Sequence, residues 1–166
     1  MLRSTAFCSI LVIFLGCSSS EPPPPKPMIN CSILPFEARS GVQPGEAESV
    51  AELISAGLQN TGRFTIIERK RINMLLQEQG FQATQGEGDG YAKAAKILAV
   101  HWFFAGSVGK LGDNYIINVK MINVETADVK YAWTKTYDDD LEDIHKKFIP
   151  NLIKEMMQSI DGQQEK

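Results

Sequence analysis

The sequence predicts the α/β class: a three-layer α/β/α domain on a mixed five-stranded sheet, spanning residues 28–166. Three observations carry this. Segments with apolar residues at every second position alternate with segments at helical spacing. Trp102, Phe103 and Phe104 are consecutive, so a strand there has both faces covered. Antiparallel hairpin character is confined to residues 101–137, which leaves the earlier strands to pair in parallel through helical crossovers.

Two segments precede the domain. Residues 1–16 read as a signal peptide, with Arg3 as the positive start and Ala6 to Leu15 as the apolar core. That core is about half the ~20 residues a membrane-spanning helix needs, so a cleaved signal fits better than an anchor. Phe14-Leu15-Gly16-Cys17 has the form of a bacterial lipobox, with Phe14 where Leu is more usual. Cys17 is therefore the expected lipidation site, and more than one acyl chain on it gives stable anchoring to a membrane. Ser18 after it favours sorting to the outer membrane, with the domain in the periplasm. Residues 17–27 are then a lipidated, Pro-rich tether. Their prolines favour polyproline II, which at ~3.1 Å per residue reaches up to ~30 Å.

Within the domain, Met28 to Phe36 reads as the first strand, ended by Pro35. Ile29, Cys31 and Ile33 share one of its faces, so Cys31 is expected to be buried. A helix follows, with Glu46 and Glu48 in its first turn and Ala47, Val50, Ala51, Ile54 and Leu58 on one stripe. Gly62 is placed to end it in a left-handed cap. Residues 63–68 form a short second strand. The next helix runs from Arg69 to Gln79, with Gly80-Phe81 as its cap, and residues 82–90 form a glycine-rich loop before a compact helix over 91–98.

Strands near 101–109, 114–124 and 128–137 complete the sheet, with a tight turn at Glu125-Thr126-Ala127-Asp128. Asp138, Asp139 and Asp140 read as a helix-capping region. Leu141, Ile144, Phe148, Leu152, Met156 and Ile160 give the stripe of a final helix, which Pro150 kinks or splits near residues 146–149.

Composition excludes some function classes. The formal net charge is −3, and a mildly acidic chain argues against nucleic acid as a partner. Of the three cysteines, Cys8 leaves with the signal and Cys17 is acylated, so Cys31 has no partner for an intramolecular disulfide. Gly86, Gly88 and Gly90 do not match a dinucleotide-binding fingerprint and follow a helix, which favours a plain loop. His101 and His145 stand alone at no metal-ligand spacing, as a packed strand residue and a helix-surface residue. The acidic run from Asp138 to Asp143 lacks calcium-loop spacing and reads as a solvated cap. Arg69-Lys70-Arg71 is a short basic cluster at a helix start, read as a solvated face. No catalytic triad can be assembled. The expectation is a non-enzyme with no cofactor, no metal and no catalytic residues.

Five blocks carry a family resemblance: residues 33–37 (Ile-Leu-Pro-Phe-Glu), 60–69 (Asn-Thr-Gly-Arg-Phe-Thr-Ile-Ile-Glu-Arg), 75–81 (Leu-Leu-Gln-Glu-Gln-Gly-Phe), 106–110 (Gly-Ser-Val-Gly-Lys) and 123–126 (Asn-Val-Glu-Thr). In this order they resemble the CsgG family, whose namesake is the curli-export pore subunit, over Met28 to about Tyr137. The resemblance implies a three-layer α/β domain, similar to the periplasmic domain of LpoB and the N-terminal domain of TolB, borne on an outer-membrane lipoprotein. Three departures stand out. Ala127 replaces the family's usual Gly, residues 85–90 lack a cysteine-containing segment, and no stretch is long enough for the inserted membrane hairpins of pore-forming members. The expectation is therefore a lipid-anchored cell-envelope protein that binds an envelope protein partner as an accessory or assembly factor. The alternative is a ring-forming homo-oligomeric component of an export system related to curli export.

Overall fold

A computed structural model describes residues 27–78, 87–138 and 140–162. Their order is β1 (Ile29–Ile33), β2 (Glu37–Ala38), α1 (Pro44–Asn60), β3 (Phe64–Ile66), α2 (Arg69–Glu78), α3 (Glu87–Ile97), β4 (Trp102–Leu111), β5 (Asn114–Asn123), β6 (Val129–Tyr137), a 3-10 turn (Leu141–Asp143) and α4 (Phe148–Asp161). All six described strands lie in one mixed sheet, ordered β3-β1-β4-β5-β6, with β2 also on β4. β1 pairs in parallel with both β3 and β4, and β4, β5 and β6 form an antiparallel meander.

The sheet has six strands rather than the expected five because Pro35 interrupts the first. Leu34 still donates its N–H to the Phe104 carbonyl at 2.8 Å. Pro35 has no N–H to continue the ladder, and the chain rejoins β4 farther along, as Glu37 opposite Ser107. Two hairpins close the meander. Gly112 turns the first at φ +63°, and Ala127 stands at φ +61° in the second.

Both faces are covered, as the aromatic run requires. On one face α1 and α4 pack on Cys31, Phe104, Val108, Val119 and Trp133. On the other, α2 and α3 pack on Phe103 and Ile122. The five stripe residues expected for α1 are the five it buries. Its start is set by a capping box: Gln43 N–H donates to Glu46 Oε2 at 2.6 Å, with Pro44 in the first turn. Its end is set by Gly62 at φ +67°, as expected. α3 begins at Glu87, so residues 87–90 are helical and not loop. The rest of the expected loop, the Gly80-Phe81 cap and Gln79 lie outside the described residues.

Pro150 does split the last helix. A 3-10 turn and a short irregular stretch come first, and α4 then carries Pro150 as its third residue. There the missing N–H is one that a first turn leaves unpaired anyway.

Candidate functional site

Parallel strands give the molecule two poles. Pro27 enters at the amino end of β1, and β1 and β3 end together at the other pole. β1 feeds α1 on one face and β3 feeds α2 on the other, so a crevice opens between their carboxyl ends. Ligands of open α/β sheets bind at such a switch point.

A cleft of about 320 Å3 occupies this crevice. Ile33, Leu34, Ile66 and Ile67 from the strand ends and Ala51 from α1 make an apolar floor, and Pro35 forms part of the wall. Glu48, Glu52, Glu68 and Arg69 contribute charge around it, and the three carboxylate residues are exposed. Arg69 Nη2 stands 4.0 Å from Glu48 Oε1. Among the described residues, Glu52 and Glu68 make no ion pair. The cleft is thus apolar beneath and acidic at its rim.

Beneath α3, Ser32 Oγ is fully buried and, like the Tyr91 hydroxyl, lacks hydrogen-bond geometry to any described residue. Burial pushes the Tyr91 phenol up, against the opposing pull of the Arg69 guanidinium.

The other candidate residues scatter. Cys17 lies outside the described residues, as does Asp139. Cys31 is fully buried as expected, and burial pushes its thiol up to about 12, which suppresses the nucleophilic thiolate at neutral pH. His101 is exposed just before β4 and lines a small pocket at the tether pole. It was expected as a packed strand residue, but β4 starts only at Trp102. His145 is a surface residue whose Nδ1 lies 3.0 Å from the Glu142 carbonyl. Asp140 is the N-cap residue of the 3-10 turn, and its side chain makes no capping bond to that turn. No group of three or more His, Cys, Asp or Glu that could hold a metal occurs among the described residues, and no described helix is long and apolar enough to cross a membrane.

Sequence reasoning singled out Arg69 only as part of a basic cluster and missed Glu52 and Glu68 as site residues. The signal was there in part: Glu48 and Glu52 are one turn apart on the polar side of α1. The apolar strand ends that complete the cleft come from distant parts of the chain.

A β-α-β start joined to an antiparallel meander, with helices on both faces and a cleft at the strand ends, defines an α/β/α sandwich. The chain belongs to the family of the curli production assembly/transport component CsgG, whose model matches residues 19–116. No curated protein matches the chain by sequence. Among solved structures, the LpoB C-terminal domain from Escherichia coli is similar with a TM-score of 0.54 and 16% identity, over 67% of this chain and 83% of that one. TolB from Acinetobacter baumannii matches with a TM-score of 0.51 and 13% identity, over 83% of this chain but 29% of TolB. The PelC dodecamer from Paraburkholderia phytofirmans matches with a TM-score of 0.50 and 13% identity, over 76% and 86%. At these identities the likeness is one of fold.

Proposed function

We propose that this chain is a lipid-anchored protein of the cell envelope, held to the outer membrane through Cys17, whose periplasmic domain binds another envelope protein. It acts as an accessory or assembly factor, not as an enzyme, and brings no pore hairpins of its own. One observation carries the reading: the tether and the cleft lie at opposite ends of the same strand. Anchored through residues 17–27, the domain presents the cleft away from the membrane. Membership of the CsgG family supports an envelope-assembly setting.

The test has two parts. Palmitate labelling of the full chain in a Gram-negative host is expected to disappear in Cys17→Ala, with the protein moving from the membrane to the soluble fraction. Photo-cross-linking from surface positions is expected to join it to another envelope protein. Labelling that persists in Cys17→Ala refutes the anchor, and the lack of any cross-linked protein refutes the binding role.

The PelC dodecamer favours a second reading, a ring of this chain in an export apparatus. Ring assembly needs head-to-tail faces that close. Light scattering of the detergent-solubilised protein decides it: a multimeric particle supports the ring, and a single-chain mass rules it out.

A further inference from the structure

We propose that the cleft at the carboxyl ends of β1 and β3 receives a segment of the partner protein that carries a lysine or arginine flanked by apolar residues. This rests on the protein-binding reading above and names the chemistry of the contact. The floor of Ile33, Leu34, Ala51, Ile66 and Ile67 is apolar, and about 320 Å3 is room for one or two large side chains. The rim has three carboxylates and one cation, so it is net negative.

Charge at the rim is only partly balanced. Glu48 and Glu52 are one helical turn apart, where like charges repel by a few tenths of a kcal/mol. Arg69 approaches Glu48 at 4.0 Å, and Glu52 and Glu68 have no ion-pair partner among the described residues. A cation brought to this rim is attracted, and an anion is repelled. A metal ion is a poor fit. Calcium takes six to eight oxygens at about 2.3–2.6 Å, whereas these carboxylates do not converge as a metal-holding group. Spread carboxylates around an apolar floor match a side chain with an apolar stem and a cationic head. The polarity also fits the tether, which enters at the other pole and leaves this one facing the partner.

The experiment places p-benzoylphenylalanine at Ser55, beside the cleft, in the full lipidated chain, and irradiates cells. The peptide joined to it is then read by mass spectrometry. The expected peptide holds Lys or Arg next to Leu, Ile, Val, Met or Phe. Its yield is expected to fall at least ten-fold in Glu52→Lys with Glu68→Lys, and to recover when the partner's basic residue is changed to Glu. Glu52→Gln with Glu68→Gln, which keeps the shape, is expected to lower the yield several-fold. That pair keeps the test decisive if the lysine pair fails to fold.

A joined segment without a basic residue, or a yield indifferent to the Gln pair, overturns the proposal. So does an adduct from Ala56 or Thr134, on other surfaces, with none from Ser55; the protein-binding reading then survives alone. No adduct from any of the three positions removes that reading and the cleft's partner with it.

Discussion

Gly106 shows how one missing side chain holds β4 in place. A Cβ there would meet the Asn118 carbonyl and the Phe36 ring, so the ring that follows Pro35 packs directly against the glycine. Gly106→Ala is expected to cost ~2–3 kcal/mol, in the range of overpacked cores, measured by denaturant unfolding. Ala127 is the opposite case. It holds φ +61° in the β5–β6 turn, where Asn123 Oδ1 accepts from the amides of Glu125 at 2.7 Å and Thr126 at 3.1 Å. Ala127→Gly relieves a left-handed alanine and is expected to raise stability by ~1 kcal/mol. The turn keeps the geometry a glycine would adopt, so the departure from the family pattern is stored as strain and not as a new turn.

Cys31 makes a pH prediction whose sign is fixed by burial. Its folded thiol is pushed up to about 12 from 9.0. The unfolded chain therefore loses this proton first as pH rises. The contribution to stability is whole below pH 9.0 and is lost as pH climbs toward about 12, at up to ~1.4 kcal/mol per pH unit. Cys31→Ala is expected to flatten that part of the stability–pH curve. Thiol reagents at pH 8 are expected to modify Cys31 only after unfolding.

At the scale of elements, α4 is pinned at its far end by a nearly buried pair. Arg63, just before β3, places Nη1 3.1 Å from Asp161 Oδ1, with side-chain exposures of 11% and 28%. Removing one partner of a fully buried pair costs ~3–5 kcal/mol. Asp161 keeps some solvent, so Arg63→Ala is expected to cost ~2 kcal/mol by thermal unfolding. Gly57 lets α1 and α4 approach: a Cβ there would stand 2.8 Å from Ile153.

The stripes of α1 and α4 were legible because each is a local pattern that one helix presents to the sheet. Phe103 and Phe104 gave the two covered faces for the same reason. The start of α3 was not legible, since Gly88 and Gly90 signal a loop by propensity alone, whereas the helix begins at Glu87. The six-strand count escaped because β2 is two residues long and exists only through its pairing with Ser107 and Val108. The cleft was hidden for a topological reason. Its walls come from residues 33–35, 48–55 and 66–69, which meet only once β3 lies beside β1.

For the molecule as a whole, entry of Pro27 at one pole and the cleft at the other keep the start of the domain apart from the proposed docking site. Shortening the tether, by deleting Pro22 to Pro25, is expected to leave domain stability within ~0.5 kcal/mol, because such a segment builds no packed core. Its effect would appear in reach alone, as a loss of partner cross-links with the thermal midpoint unchanged.

The place of β1 has a mechanical consequence. It is bonded on one side to β3 and on the other to β4, and tension entering at Pro27 runs along its axis. The hydrogen bonds on both flanks then carry the load together, in shear. Peeling β6 from β5 would break bonds one after another. Such a domain resists traction applied between Pro27 and its far end. Single-molecule pulling between residues 27 and 55 is expected to rupture at a higher force than pulling that peels β6, and equal forces would refute it.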